Sequence, residues 1–191
     1  MLFPANFLTQ STERLILRRF VDLDLERFVA YRQDPQVARF QGWSMLSDNK
    51  GQSFITEMQT AEIGIPGEWF QIAIAQKQSN LLIGDIGIQV YTEDLTTVEI
   101  GFTLNRQEQG KGYAREAVST LLHALFKIGS INKIVAITDS RNDSSICLLK
   151  RLGMRLSNSV EVEFKSESCI EKTFELEQKD WLLSSIKSDE R

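Results

Sequence analysis

Gln107-Glu108-Gln109-Gly110-Lys111-Gly112-Tyr113-Ala114 is the stretch around which the chain is organised. Upstream, Thr97-Val98-Glu99-Ile100-Gly101-Phe102-Thr103-Leu104 is rich in β-branched and aromatic residues and reads as a strand. Downstream, Ala114, Ala117, Val118, Leu121, Leu122, Leu125 and Phe126 recur at helical spacing and form one apolar stripe. A strand feeding a glycine loop that opens a helix leaves backbone N–H groups unpaired at a positive dipole end, where anions and above all phosphates bind.

Working outward, Glu68–Ala75, Leu81–Tyr91 and Thr97–Leu104 read as three consecutive antiparallel strands. The segments before them are helical: one follows Asp22 as an N-cap, with Leu25, Phe28, Val29 and Arg32 at helical spacing. A second opens at Asp34-Pro35 and a third at Ser47-Asp48. Thr12–Phe20 reads as a half-buried first strand. After the long helix, Ile131–Thr138 is reached by a helical crossover and is therefore expected to run parallel to the strand before the loop. A helix from Asn142 to Gly153 and a closing hairpin, Ser159–Phe164 with Cys169–Leu176, follow. The expectation is one domain over residues 1–186 with a frayed tail at 187–191. Its architecture is a mixed, mostly antiparallel α/β (α+β) sheet of about seven strands with helices on both faces.

The 191 residues are 42% apolar and 25% charged, which places the chain among globular proteins rather than disordered ones. A net charge of −4 argues against a general nucleic-acid binder and mildly favours a cationic substrate. Cys147 and Cys169 have neither C-x-x-C spacing nor a histidine pattern, so no metal site or disulfide framework is expected. No basic-then-apolar leader and no 18-residue apolar span is visible, and the expected compartment is the cytoplasm, with no membrane partner. His123 lies opposite the apolar stripe of its helix and is expected to face solvent. Gly110-Lys111-Gly112 lacks the earlier Gly and the Ser/Thr of a P-loop, and it comes too late in the chain for a dinucleotide fold.

Gln107-x-x-Gly110-x-Gly112 at a strand-to-helix junction, followed by Asn142-x-x-Ser145 and Lys150-Arg-Leu-Gly-Met154 on the next helix, resembles the GNAT superfamily of acetyl-coenzyme A-dependent N-acetyltransferases. The opening Thr12-Glu-Arg-Leu-Ile-Leu-Arg18, the Glu99-Ile-Gly-Phe strand and Trp181 are similar to the branch containing ribosomal-protein N-terminal acetyltransferases. The resemblance implies the GNAT fold, splayed where coenzyme A enters. It also implies direct transfer of acetyl from acetyl-CoA to a primary amine, with a protein or peptide N-terminus as first acceptor. A polyamine, an amino-acid derivative and an aminoglycoside are the alternatives, and a non-catalytic acyl-CoA-binding module is the rival of another class. Monomer and homodimer both stay open.

The resemblance also assigns roles. Gln107, Gln109, Gly110, Lys111, Gly112, Tyr113 and Ala114 would surround the pyrophosphate, the glycines because side chains would block the backbone's approach. Phe102, Thr103 and Leu104 would face the pantetheine arm, with Gly101 marking a bulge, and Asn142 would bond the same arm. Attack on the thioester needs a neutral amine, and Glu99 is the first candidate base, with Glu116 a weaker one. Leu149 occupies the position where many GNAT enzymes carry a tyrosine acid, which leaves Ser145 as the substitute. Phe40, Trp43, Trp69 and Tyr91 are candidates for an acceptor groove, although core burial is the commoner fate of aromatic residues.

Overall fold

The computed structural model describes residues 3–4, 7–43 and 47–189. Among them, eight strands form one sheet: β1 (Gln10–Ser11), β2 (Leu15–Arg18), β3 (Trp69–Gln76), β4 (Leu82–Val90), β5 (Thr97–Leu104), β6 (Lys133–Asp139), β7 (Arg155–Phe164) and β8 (Glu167–Glu177). Their spatial order is β1-β2-β3-β4-β5-β6-β8-β7. The six helices are α1 (Leu25–Gln33), α2 (Pro35–Ala38), α3 (Asp48–Thr60), α4 (Tyr113–Lys127), α5 (Asp143–Arg151) and α6 (Gln178–Asp189). The expected mixed architecture is the one found. The strand beyond the seven expected is β1, whose two residues are too short to carry a period. Helix α6 runs through 187–189, where a tail was expected; the rest of that tail, 190–191, and 44–46 of the acceptor loops lie outside the described residues.

The antiparallel meander β3–β4–β5 and the parallel β5–β6 pair match the expected order. The parallel ladder is short, with only Thr97↔Lys133, Val98↔Ile134 and Glu99↔Val135 opposed. Beyond Glu99, β5 stays paired with β4 as far as Gly84↔Leu104, while β6 stays paired with β8 as far as Asp139↔Glu171. Each strand follows its outer partner, and strand twist carries the two apart. Gly101 is not the bulge expected of it, because it sits opposite Gly87 in an unbroken β4–β5 register. The opening therefore comes from divergence of two well-paired half-sheets.

Period-two alternation divides the sheet into two faces. Leu15 and Leu17, Ile72 and Ile74, Ile86 and Ile88, Val98 and Ile100, Ile134 and Ala136, and Phe174 and Leu176 share one face, and all are buried. Helix α4, whose Leu121, Leu122 and Leu125 are also buried, packs against β2 and β5, and α5 packs against β6. The other face carries Asp85, Gln89, Glu99, Gly101 and Thr103, and α1 lies over β4 there. Asp22 does not cap α1 as expected. A single 3-10 turn at Asp22–Asp24 precedes the helix, and the buried Asp24 carboxylate instead accepts from Arg18 at 2.7 and 2.9 Å and from Val21 N at 2.9 Å. His123 is exposed, as expected.

Phe174 is 1% exposed where β8 joins β6 to β7. Phe174→Ala should cost about 3–5 kcal/mol in urea unfolding, the cost of a cavity at a site pinned on both sides. A loss below about 1 kcal/mol would mean that the two half-sheets do not share one core.

Candidate functional site

Two glycines shape the loop before α4. Gly110 and Gly112 have φ of +75° and +83°, backbone that L-residues adopt only with strain. An added Cβ at Gly110 would meet nothing within 4 Å, so that position needs glycine for conformation rather than for room. Gly112 is the N-cap of α4 and supplies no side-chain cap, so the first-turn amides of Tyr113, Ala114 and Arg115 face outward. Gln109 lies in this loop but turns its Nε2 to the Leu104 carbonyl at 3.1 Å, tying loop to strand. Gln107 starts the stretch on a 3-10 turn, its N–H bonded to Asn105 Oδ1 at 3.1 Å. The Lys111 ammonium pairs with Glu108 at 3.0 Å, and the Lys111 carbonyl accepts from Arg14 at 3.1 Å. The Arg14 guanidinium also lies 4.6 Å from the Tyr113 ring centre.

Glu116, the weaker candidate base, is engaged in this scaffold. It accepts from Thr12 Oγ1 at 2.5 Å, from Arg14 N at 2.9 Å and from Arg14 Nε at 2.7 Å. Burial alone would raise its carboxyl, but the bonds from Thr12 and Arg14 outweigh burial and hold it below the ordinary value.

The parting of β5 and β6 opens a cleft lined by Ile100, Gly101 and Phe102 on one side and Ala136, Ile137 and Thr138 on the other. Even-numbered residues of β5 point their backbone groups at the β6 side: Thr96 O accepts from Asn132 N and Lys133 N, whereas Thr97 O accepts from Tyr91 N on the β4 side. Phe102 and Leu104 therefore turn N–H groups toward the cleft, while Thr103 turns its own toward β4 and has a buried side chain. Helix α5 presents Asn142, Ser145 and Leu149 to the cleft at helical spacing. Asn142 is also the N-cap, accepting from Ser145 N at 3.2 Å. Leu149, 1% exposed, is a wholly apolar wall, so Ser145 and Thr138 are the hydroxyls lining the cleft. Phe40 and Gln41 close it from the α2 side.

Glu99 stands at the last residue pair before the strands part. It is half-buried, and Oε2 accepts from the Tyr91 hydroxyl at 2.9 Å. Burial pushes its carboxyl up, the Tyr91 bond opposes this, and the like charge of Glu171 adds to the rise. The Tyr91 hydroxyl is pushed to about 12 by its own burial and by Glu99. Of the other aromatic candidates, Trp69 is 42% exposed on β3, and Trp43 packs on an arginine.

That arginine is Arg32, which the sequence reading counted only as a stripe residue. Its Nη2 bonds Asp85 Oδ2 at 2.7 Å, and the Tyr31 hydroxyl bonds Asp85 Oδ1 at 2.6 Å, all three residues being buried. A basic residue on an apolar helix stripe and an acid inside the apolar run of β4 each require a partner, which is the signal that singles out both residues without saying that they pair. Thr138 carried no such signal, because its place in the cleft depends only on where β6 diverges.

The profile of the family described as Acetyltransferase (GNAT) domain matches residues 14–155. An uncharacterized N-acetyltransferase, p20 of Bacillus licheniformis, is 29% identical over 147 residues, covering 77% of this chain and 82% of its own. The ribosomal-protein-S5-alanine acetyltransferase of Vibrio fischeri superposes with a TM-score of 0.75 at 16% identity, over 91% of this chain and 98% of its own. The spermidine N-acetyltransferase of Vibrio cholerae, solved with CoA and spermine, gives 0.75 at 17% identity over 90% and 99%. At such identities the two structures establish likeness of fold.

The raised Glu99 carboxyl has a consequence for stability. A carboxyl whose folded value lies above its unfolded one favours folding while protonated, and that contribution is lost as pH rises through the folded value. Glu99→Gln keeps an acceptor for Tyr91 and removes the buried charge. Its melting temperature should therefore equal that of the unaltered protein near pH about 4 and exceed it at neutral pH. A lower melting temperature at neutral pH would show that Glu99 is held by contacts stronger than the one from Tyr91.

Proposed function

Because the chain belongs to the GNAT acetyltransferase family, whose co-substrate is acetyl-CoA, we propose that the β5–β6 cleft carries the acetyl thioester past Glu99 to an amine arriving on the Glu99 face. The observation that carries this reading is the position of Glu99: half-buried, tethered by Tyr91, at the residue where the parallel ladder ends.

On this reading the outward amides of the Gly110–Ala114 loop hold the pyrophosphate, and both left-handed glycines let the backbone approach it. Gln107 and Lys111 sit at the rim, and Gln109 keeps the loop in place through Leu104. The cleft-facing N–H groups of Phe102 and Leu104 and the Asn142 side chain serve the pantetheine arm. Thr103 has no cleft-facing group in this reading. The amine loses its proton to Glu99, directly or through a water, and its nitrogen attacks the carbonyl carbon. A cleft N–H of β5 stabilises the oxygen of the tetrahedral intermediate. The C–S bond then breaks, the nitrogen releases its second proton to solvent, and Ser145 relays a solvent proton to the departing thiolate while recovering its own. A thiol of ordinary pKa, about 8.5, is already a fair leaving group, so the Ser145 contribution is small.

The acceptor we favour is a protein or peptide α-amine, whose pKa of about 8 lets a carboxylate of raised affinity for protons act efficiently. The exposed Ile137 and Val160 extend the Glu99 face into a surface wide enough for a chain. A small polycation is the second reading, favoured by Glu171 and Glu175, which share that face with Glu99. A panel of N-terminal serine and alanine peptides, spermidine and an aminoglycoside, followed by CoA release, separates the two. Release with none of them would favour a binding module instead.

Glu99→Gln should lower kcat by about 10²–10⁴ while the Kd for CoA stays unchanged. Unchanged turnover would remove Glu99 as the base. Tyr91→Phe deletes a bond that holds the Glu99 carboxyl down, so the acid limb of kcat against pH should move to higher pH. A shift to lower pH would overturn the assignment.

A further inference from the structure

We propose that Arg32 is a positioning residue: held by Asp85 in a box of aromatic rings, it fixes the Arg39–Trp43 segment as the acceptor-side wall of the cleft. This rests on the acetyl-transfer reading above.

The segment has little to hold it by itself. It follows the single turn of α2 as irregular chain, Gly42 is exposed, and a Cβ there would meet nothing within 4 Å. Yet its Phe40 and Gln41 line the cleft across from α5. Besides the local bond from Gln41 N to the Ala38 carbonyl at 3.1 Å, two contacts with other elements tether it among the described residues. Lys165, at the tip of the β7–β8 hairpin, donates to the Ala38 carbonyl at 2.8 Å on the chain leading in. On the far side, the Trp43 ring lies 3.6 Å from the Arg32 guanidinium carbon.

Arg32 suits the second task because it is buried and held from several sides. It is 7% exposed, and its guanidinium lies 4.7 Å from the Phe28 ring centre and 5.7 Å from that of Phe54. Its carboxylate partner among the described residues, Asp85, is itself held by Tyr31 and sits opposite Thr103 of β5. The register thus runs from the cleft edge on β5 through Asp85 and Arg32 to Trp43, and back to the cleft at Phe40 and Gln41. The Arg32 Nε and the Trp43 Nε1 are buried with no hydrogen-bond partner among the described residues. Two buried donors left unmade are a cost that packing alone would not require. It is tolerated where a flat guanidinium face, and not a full set of hydrogen bonds, is what the arginine supplies.

The clamp predicts a split between the two substrates. Trp43→Leu keeps the ion pair and loses the stack, and Arg32→Lys keeps the charge and loses the flat face. Each should raise KM for the amine, assayed with an N-terminal serine peptide and with spermidine, by about tenfold, with KM for acetyl-CoA within about twofold. Trp43→Phe, which restores a ring, should return most of the loss. Both KM values rising together, an unchanged amine KM, or Phe no better than Leu would overturn the proposal. If the unaltered protein acetylates none of the serine and alanine peptides, spermidine and the aminoglycoside, the function reading falls. Amide exchange over residues 38–43 then still decides the clamp: faster exchange in Trp43→Leu and Arg32→Lys supports it, and unchanged exchange overturns it.

Discussion

Everything at the cleft depends on the three-pair parallel ladder between β5 and β6. Were it longer, the strands would satisfy each other's backbone groups and no opening would exist. Were it absent, the meander and the β6–β8–β7 unit would not share a core. Three pairs are enough to join the halves and few enough to let each half follow its own partner. The cleft-facing amides of Phe102 and Leu104 remain unpaired by strand only because β4 and β8 hold the two sides firmly. The orphan groups that a sheet normally avoids are here concentrated where a ligand can take them.

The face carrying Glu99 is charged in a way that does not favour stability. Asp85 and Arg32 are buried, and an apolar pair of the same volume would be expected to match or exceed them. Glu99 is raised by burial and by Glu171. On the opposite face the core is apolar and continuous from Leu15 to Phe174. Both faces carry buried apolar packing, with Phe20, Phe28, Ile55 and Met58 on the α1 and α3 side, but the buried charges lie on the Glu99 face. Helix α5, packed on the side opposite Glu99, presents Leu149 to the cleft, so that part of the wall is apolar.

Much of this was legible in the residues. The chain order of the strands, the crossover and the glycine loop follow from period, spacing and turn chemistry, because each is local. Asn142 as a cap and Ser145 beside it were legible for the same reason. What was not legible is long-range. Asp22 looked like the cap, and only the position of Arg18 shows that Asp24 is the carboxylate in use. Gly101 looked like a bulge, but the opening belongs to the neighbouring strand's path and not to any residue in β5. Arg32 and Asp85 lie 53 positions apart, and neither one alone says which partner it has.

The parting of the strands has one more consequence. The uncapped helix end and α5 lie on one face of the sheet, and Glu99 and α1 lie on the other. On the proposed reading the sheet is a partition with a single slot, and the two reactants enter from opposite rooms. Neither blocks the other's door, so either can arrive first and either product can leave first. On that same proposed reading a random-order path is open to the reactants, and a covalent enzyme intermediate has no task left to perform.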